Sequence, residues 1–165
     1  MNGSDENLKK YLLQWKLSNP ALLVSTPTSH IFEVLRGGDQ LILKIFSEMG
    51  MRDEGASGDI LSIWNGNGAV DLIASDSGAL LLEKLEGPNL YYYSEMNQET
   101  NATEIFVQIV RKIHSIAIPK KHSIPDLSTL LKPMKIVDNQ QLLPFKQAFE
   151  VGHQLLHTQR QQVLL

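Results

Sequence analysis

Cysteine is missing from all 165 residues, which removes disulfides and thiolate metal sites from consideration. Positive charge is scarce too. Fifteen Lys and Arg against 18 Asp and Glu leave a net charge of −3 and a pI near 5.9, no basis for gripping nucleic acid or an anionic membrane. No apolar run approaches the roughly 18 residues that a bilayer-spanning helix takes. The opening Met1-Asn2-Gly3-Ser4-Asp5-Glu6 has neither a basic nor an apolar segment, so no export signal is read there. Internal repeats and low-complexity stretches are absent as well. Together these absences suit a cytoplasmic protein. What is present is ordinary globular material, 42% apolar and 20% charged. Its length suffices for one core-bearing domain, or one domain and part of another.

The stretch around which the rest is arranged begins at Leu41-Ile42-Leu43-Lys44-Ile45-Phe46, which alternates as a strand does. Ile42 and Phe46 flank Lys44 on one face, while Leu41, Leu43 and Ile45 line the other. Both faces are apolar, so Lys44 is a lone cation on a surface that reads as covered. Such an ammonium needs an anion beside it, because an unpaired buried charge is costly or simply deprotonates. Met51 to Asn65 is expected as one helix, with Asp53 and Glu54 at its start and Ile60, Leu61 and Trp64 along it. Gly66 and Gly68 stop it. Two strands follow, Ala69–Ala74 and Ala79–Leu85, across the turn Ser75-Asp76-Ser77-Gly78.

Upstream, Leu22–Ser25 and Ile31–Arg36 read as strands joined by Thr26-Pro27-Thr28-Ser29-His30, and Gly37-Gly38-Asp39-Gln40 is a hairpin turn. Short links throughout predict a five-stranded, mostly antiparallel sheet with one packed helix. Before it, Asp5 to Leu17 places Leu8, Tyr11, Leu12 and Trp15 at helical spacing, with Lys9, Lys10 and Lys16 elsewhere. That pattern predicts a short helix docked on the sheet; its basic face is too small to favour a membrane surface. After Gly87-Pro88-Asn89 the chain turns helical. Gln98 to Ile116 carries a stripe of Ala102, Ile105, Phe106, Ile109, Val110 and Ile113. A looser stretch with Pro125 and Pro133 holds a short helix from Asp126 to Leu131. A last helix runs from Asn139 to about Gln161, with Phe145, Phe149, Leu155 and Leu156 as core candidates. Three parts are expected: an N-terminal helix over 1–20, a β-rich unit over 21–87 and a helical unit over 88–165.

A strand lysine, an acidic helix and a hairpin running into Glu83-Lys84-Leu85-Glu86-Gly87 follow the order of a kinase small lobe. The details extend this: Leu43-Lys44-Ile45, the helix from Asp53 to Trp64, and Gly66-Asn67-Gly68-Ala69-Val70-Asp71-Leu72-Ile73. They continue through Asp76, Leu80-Leu81-Leu82-Glu83-Lys84-Leu85-Glu86-Gly87 and the helix closing in Ile113-His114. On these residues the chain resembles the aminoglycoside and hydroxyurea resistance kinases, within them the streptomycin 6-phosphotransferase type. The resemblance covers most of residues 22–165, resting beyond His122 on helix placement more than on motif.

It implies an α+β fold, a kinase-like nucleotide-binding small lobe over 21–87 followed by the first helices of an incomplete large lobe. It implies transfer of the γ-phosphoryl group of ATP, with Mg2+, to an alcohol group of a small molecule, an aminoglycoside in this family. Lys44 would neutralise α- and β-phosphate charge, with Glu54 holding its ammonium and Asp53 as the other candidate partner. The carbonyl of Glu83 and the amide of Leu85 would meet the adenine edge through the main chain. Thr28 and Ser29, in a loop without glycine, would offer amides and hydroxyls to the phosphates.

The same resemblance calls for a catalytic-loop aspartate, an asparagine on the metal and a further metal-binding aspartate. No His-x-Asp with a correctly spaced Asn is found; His122 and Asp126 are too far apart. In the family, an apolar run like Gln162-Val163-Leu164-Leu165 leads into a His-Gly-Asp loop. The expectation is a chain cut before its chemistry, by a premature stop or a split gene for instance, with no Mg2+ ligands, weak nucleotide affinity and no turnover by itself. Val151 and Leu155 would lack the large-lobe core they normally face, so self-association is expected. The rival reading is a non-catalytic interaction or oligomerising module that keeps the lobe as scaffold.

Plainer readings compete at single residues. Lys44 as an edge-strand lysine with its head in water is made easy by snorkelling, and the hairpin after it tips the balance the other way. Glu54 as an acid drawn to a helix N-terminus by the macrodipole stands level with its pairing to Lys44. His153 and His157, four apart, have no acid placed as in a zincin motif and read as ordinary histidines. His114 reads as a packing or capping residue, and Tyr91, Tyr92 and Tyr93 as the seal of a lobe junction.

Overall fold

Strand β3, Asp39–Phe46, is central because both of its edges are paired. On one side it meets β2, Ser29–Arg36, which in turn pairs with β1, Ser18–Ser25; on the other it meets β5, Ala79–Glu83, and then β4, Leu72–Asp76. All four pairings are antiparallel, in the order β1-β2-β3-β5-β4. The β2–β3 turn is possible because Gly37 and Gly38 both take positive φ, 63° and 100°, as a two-residue hairpin loop requires. The computed structural model describes residues 3–119, 124, 126, 128–129 and 143–158, which fall in two compact units, Met1–Ile116 and Ala117–Leu165.

Helix α1, Gly3–Gln14, covers one face of the sheet, as its spacing predicts. Tyr11 is buried with Leu41, Leu43 and Ile45 of β3, Val34 of β2, and Ala79 and Leu81 of β5; Leu8, Leu12 and Trp15 pack around them. The β4–β5 turn receives this helix closely. A Cβ on Gly78 would lie 2.6 Å from the Tyr11 hydroxyl, and Asp76 accepts hydrogen bonds from Lys10 at 3.3 Å and Gln14 at 3.2 Å.

The other face carries Ile42, Lys44 and Phe46 and receives two short helices, α2, Glu48–Glu54, and α3, Ser57–Trp64. The single helix expected from Met51 to Asn65 is thus two, and it starts earlier. Ser47 caps α2, its hydroxyl accepting the Gly50 amide at 3.1 Å, while Gly55 and Ala56 separate the helices. The Ser57 hydroxyl donates to the Glu54 carbonyl across the break. Helix α3 ends at Asn65 in the left-handed conformation, followed by Gly66 with positive φ. A Cβ on its Gly58 would lie 3.2 Å from Leu80, so α3 approaches β5 closely.

Helix α4, Leu90–Glu95, was not expected; Asn89 caps it by accepting the Tyr92 amide. Its Tyr91 and Tyr92 side chains are exposed within this unit. Helix α5, Glu99–His114, packs close to Gly68 through Ile109, Lys112 and Ile113. Phe106, expected in its apolar stripe, is instead exposed. In the second unit, α6, Leu143–Thr158, has Phe149 and Leu156 half-buried and Val151 and Leu155 exposed. Of the expected helix from Asp126 to Leu131, positions 126 and 128–129 are described, and 128–129 are helical. The ends of the expected Asn139–Gln161 helix and the side chain of Phe145 lie outside the described residues. No described helix is long and apolar enough to cross a membrane.

Candidate functional site

The β3 register decides what surrounds Lys44. Ile31 of β2 and Leu80 of β5 lie beside it, and Glu33 and Leu82 lie beside Ile42, two residues away on the same face. The Lys44 aliphatic stem is therefore bordered by apolar side chains, and its ammonium stands over the Phe46 ring, 5.2 Å from the centroid. The ammonium forms an ion pair with Glu54. Both side chains are mostly covered, 22% and 31% exposed respectively, so water screens the pair only in part.

Asp53, the alternative partner, is exposed and Glu54 is the one brought to Lys44. Glu54 is the last residue of α2 and not one of its first. A carboxylate at that end gains nothing from its own helix dipole, so attraction to the N-terminus does not account for it. The Lys44 ammonium, by donating a hydrogen bond, holds the Glu54 carboxyl below its ordinary 4.5; burial opposes this, and a bond from the Thr28 side chain reinforces it.

Thr28 ends the β1–β2 loop and Ser29, expected in that loop, is the first residue of β2; the loop is tied rather than open. Within it, the Thr26 amide donates to the Ser29 carbonyl at 2.8 Å, and the Ser29 amide to the Thr26 hydroxyl at 3.0 Å. Ser29 is buried, with its hydroxyl also facing Thr26. At the far end of β5, the Glu83 amide donates to the Asp71 carbonyl at 3.1 Å, and its carboxylate accepts the Asp71 amide at 2.8 Å. Leu85 lies two residues past that strand with its side chain exposed. Glu83 thus anchors the hairpin from which the segment leading to Leu85 departs.

Two groups of residues were not foreseen. Lys84 bonds Glu33 at 2.9 Å and Gln40 at 3.0 Å, tying the segment after β5 to β2 and to the start of β3; Glu33 raises the Lys84 pKa. Ser47 and Gly50, at the start of α2, hold the β1–β2 loop. The second was readable in part: a serine just before a helix is a capping signal, hidden here by placing the helix start too late. His153 and His157 stack edge to face with centroids 4.4 Å apart. No group of three or more His, Cys, Asp or Glu among the described residues could hold a metal ion.

A five-stranded antiparallel sheet whose central-strand lysine pairs with a glutamate from the following helix has the layout of the small lobe of a kinase-like fold. The chain belongs to the aminoglycoside/hydroxyurea antibiotic resistance kinase family, whose model matches residues 14–164. Among curated relatives it is 30% identical over 118 residues to streptomycin 3″-kinase of Klebsiella pneumoniae, covering 71% of this chain and 42% of that protein. It therefore spans less than half the length of that relative. The solved streptomycin–ATP–APH(2″)-IIa ternary complex superimposes with a TM-score of 0.60 at 12% identity, over 96% of this chain and 62% of that one. At that identity the match speaks for the fold.

Proposed function

We propose that residues 21–87 bind ATP, and that they serve transfer of its γ-phosphoryl group to a hydroxyl of an aminoglycoside of the streptomycin kind. The observation that carries this is the Lys44–Glu54 ion pair on a covered face of the sheet. A cation restrained in that way meets phosphate charge without first having to be ordered, and it does so in a partly dry cleft where its attraction is weakly screened. The main chain at Glu83 and Leu85 would take the adenine edge, as the pairing of Glu83 with Asp71 holds the hairpin that leads there. Ile42, Ile31 and Leu82, around Lys44 on the same face, supply apolar surface for the base. Thr28 would face the phosphates, whereas Ser29, expected beside it, is buried with its amide and hydroxyl turned to Thr26.

Mg2+ enters this reading as the counter-ion of the nucleotide. The acceptor class rests on the family and on the streptomycin named in both relatives. The chain by itself is proposed to bind nucleotide weakly and to turn nothing over, in a cytoplasmic setting suited to a protein without cysteine. Calorimetric titration of the chain with ATP and magnesium tests the reading. Heat of binding is expected, and Lys44→Ala should abolish it; equal binding by the variant would overturn the proposal. Exposed Phe106, Val151 and Leu155 favour a second reading, a module that associates with copies of itself. Sedimentation separates the two, since a monomer that binds nucleotide disfavours the second.

A further inference from the structure

A loop meant to hold phosphates is expected to be rich in glycine, yet Thr26-Pro27-Thr28-Ser29 has none. Its shape comes in part from the bonds between Thr26 and Ser29 and in part from outside. The Ser47 hydroxyl donates to the Pro27 carbonyl at 2.7 Å, and the Ser47 amide to the next carbonyl, that of Thr28, at 2.9 Å. The same hydroxyl accepts the Gly50 amide at 3.1 Å. Gly50 lets the loop come in: a Cβ there would lie 2.0 Å from the Thr28 carbonyl oxygen. The same helix ends in Glu54, the partner of Lys44. One seven-residue helix and its cap thus hold both the loop and the ion pair.

We propose that Ser47 is a positioning residue that latches the β1–β2 loop to α2, so that loop and ammonium meet the phosphates as one preset unit. This rests on the nucleotide reading above. The mechanism is peptide geometry. In a trans peptide the carbonyl and the following amide point in opposite directions, and the chain has no cis bond among the described residues. Drawing the Pro27 carbonyl onto Ser47 therefore turns the Thr28 amide away from α2. Glycine-rich loops gain close approach from a bare backbone; this one gains it by being held, with the single glycine placed across the contact at Gly50.

The test compares ATP with adenosine on the full chain. Ser47→Gly deletes the hydroxyl while remaining a tolerable helix cap, and Ser47→Thr retains it. Ser47→Gly is expected to weaken ATP about tenfold, the scale of one lost hydrogen bond to a loaded group, and to leave adenosine unchanged. Ser47→Thr should restore ATP binding. A purely structural role would lower both ligands together, and that result, or undiminished ATP binding, overturns the proposal. Should the unaltered chain bind no ATP, the nucleotide reading fails, and exchange of the bonded amides at positions 26, 29 and 47 still decides the latch. Slow exchange that becomes fast in both Ser47→Gly and Gly50→Ala upholds it, while equal exchange in all three defeats it.

Discussion

The two faces of the sheet use the same strand for opposite ends. On the α1 side, β3 contributes Leu41, Leu43 and Ile45, and the side chains they meet are almost wholly apolar. On the α2 side, one position along, it contributes Ile42, Lys44 and Phe46, and the neighbourhood includes Glu54, Glu33 and Lys84. Leu43, Leu81 and Val34 are fully enclosed on the first face, whereas the ion pair on the second keeps some exposure. The strand period of two makes this division possible, because adjacent side chains never compete for the same environment. One face carries the stability of the lobe, leaving the other free to hold a charge that stability alone does not require.

If that division is right, the largest effect on folding should come from the dry face. Leu43→Ala, at a site with no solvent exposure, is expected to cost about 3 kcal/mol in urea unfolding. Next comes the seam between loop and helix. Gly50→Ala forces a methyl against the Thr28 carbonyl and should cost about 1–3 kcal/mol by the same measurement. Lys44→Met keeps the stem and removes the charge; because Glu54 retains some exposure to water, the expected loss of stability is about 1 kcal/mol or less, with ATP binding lost. Unfolding by Lys44→Met as severe as that by Leu43→Ala would break the contrast between the faces.

A smaller effect depends on pH. The Glu54 carboxyl is held below 4.5 in the folded chain, so folded Glu54 binds its proton less readily than unfolded Glu54. Its contribution to stability is therefore present above about pH 4.5 and is lost as pH falls through the depressed value. Thermal melts across that range should show a slope that Glu54→Gln flattens. The smallest effect should be that of Lys84→Ala, whose ion pair with Glu33 is, like that of Lys44, only partly covered; at most a small fall in melting temperature is expected.

Much of the candidate site was legible because its signals are local. Lys44 on an apolar strand face, the hairpin into Glu83 and the α1 stripe of Leu8, Tyr11, Leu12 and Trp15 can be read from spacing, and all three elements form. Two misreadings came from contacts far apart in the chain. The helix expected from Met51 begins at Glu48, after Ser47, which is engaged by Pro27 and Thr28, twenty and nineteen residues earlier, and it breaks at Gly55. Phe106 fits a helical stripe but has nothing over it in its unit, and periodicity alone does not say what a face will meet.

By itself the sequence determined the alternation that puts leucine on one side of β3 and lysine on the other, and the family to which residues 14–164 belong. Such features follow from neighbours within a few residues, where backbone geometry fixes direction. Only the tertiary structure decided that Glu54 and not Asp53 takes the ammonium, and that the glycine-free loop is held by Ser47 and Gly50. Two adjacent acids are equivalent in composition but point about 100° apart around a helix. Which of them reaches the lysine is set by how that helix lies across the sheet.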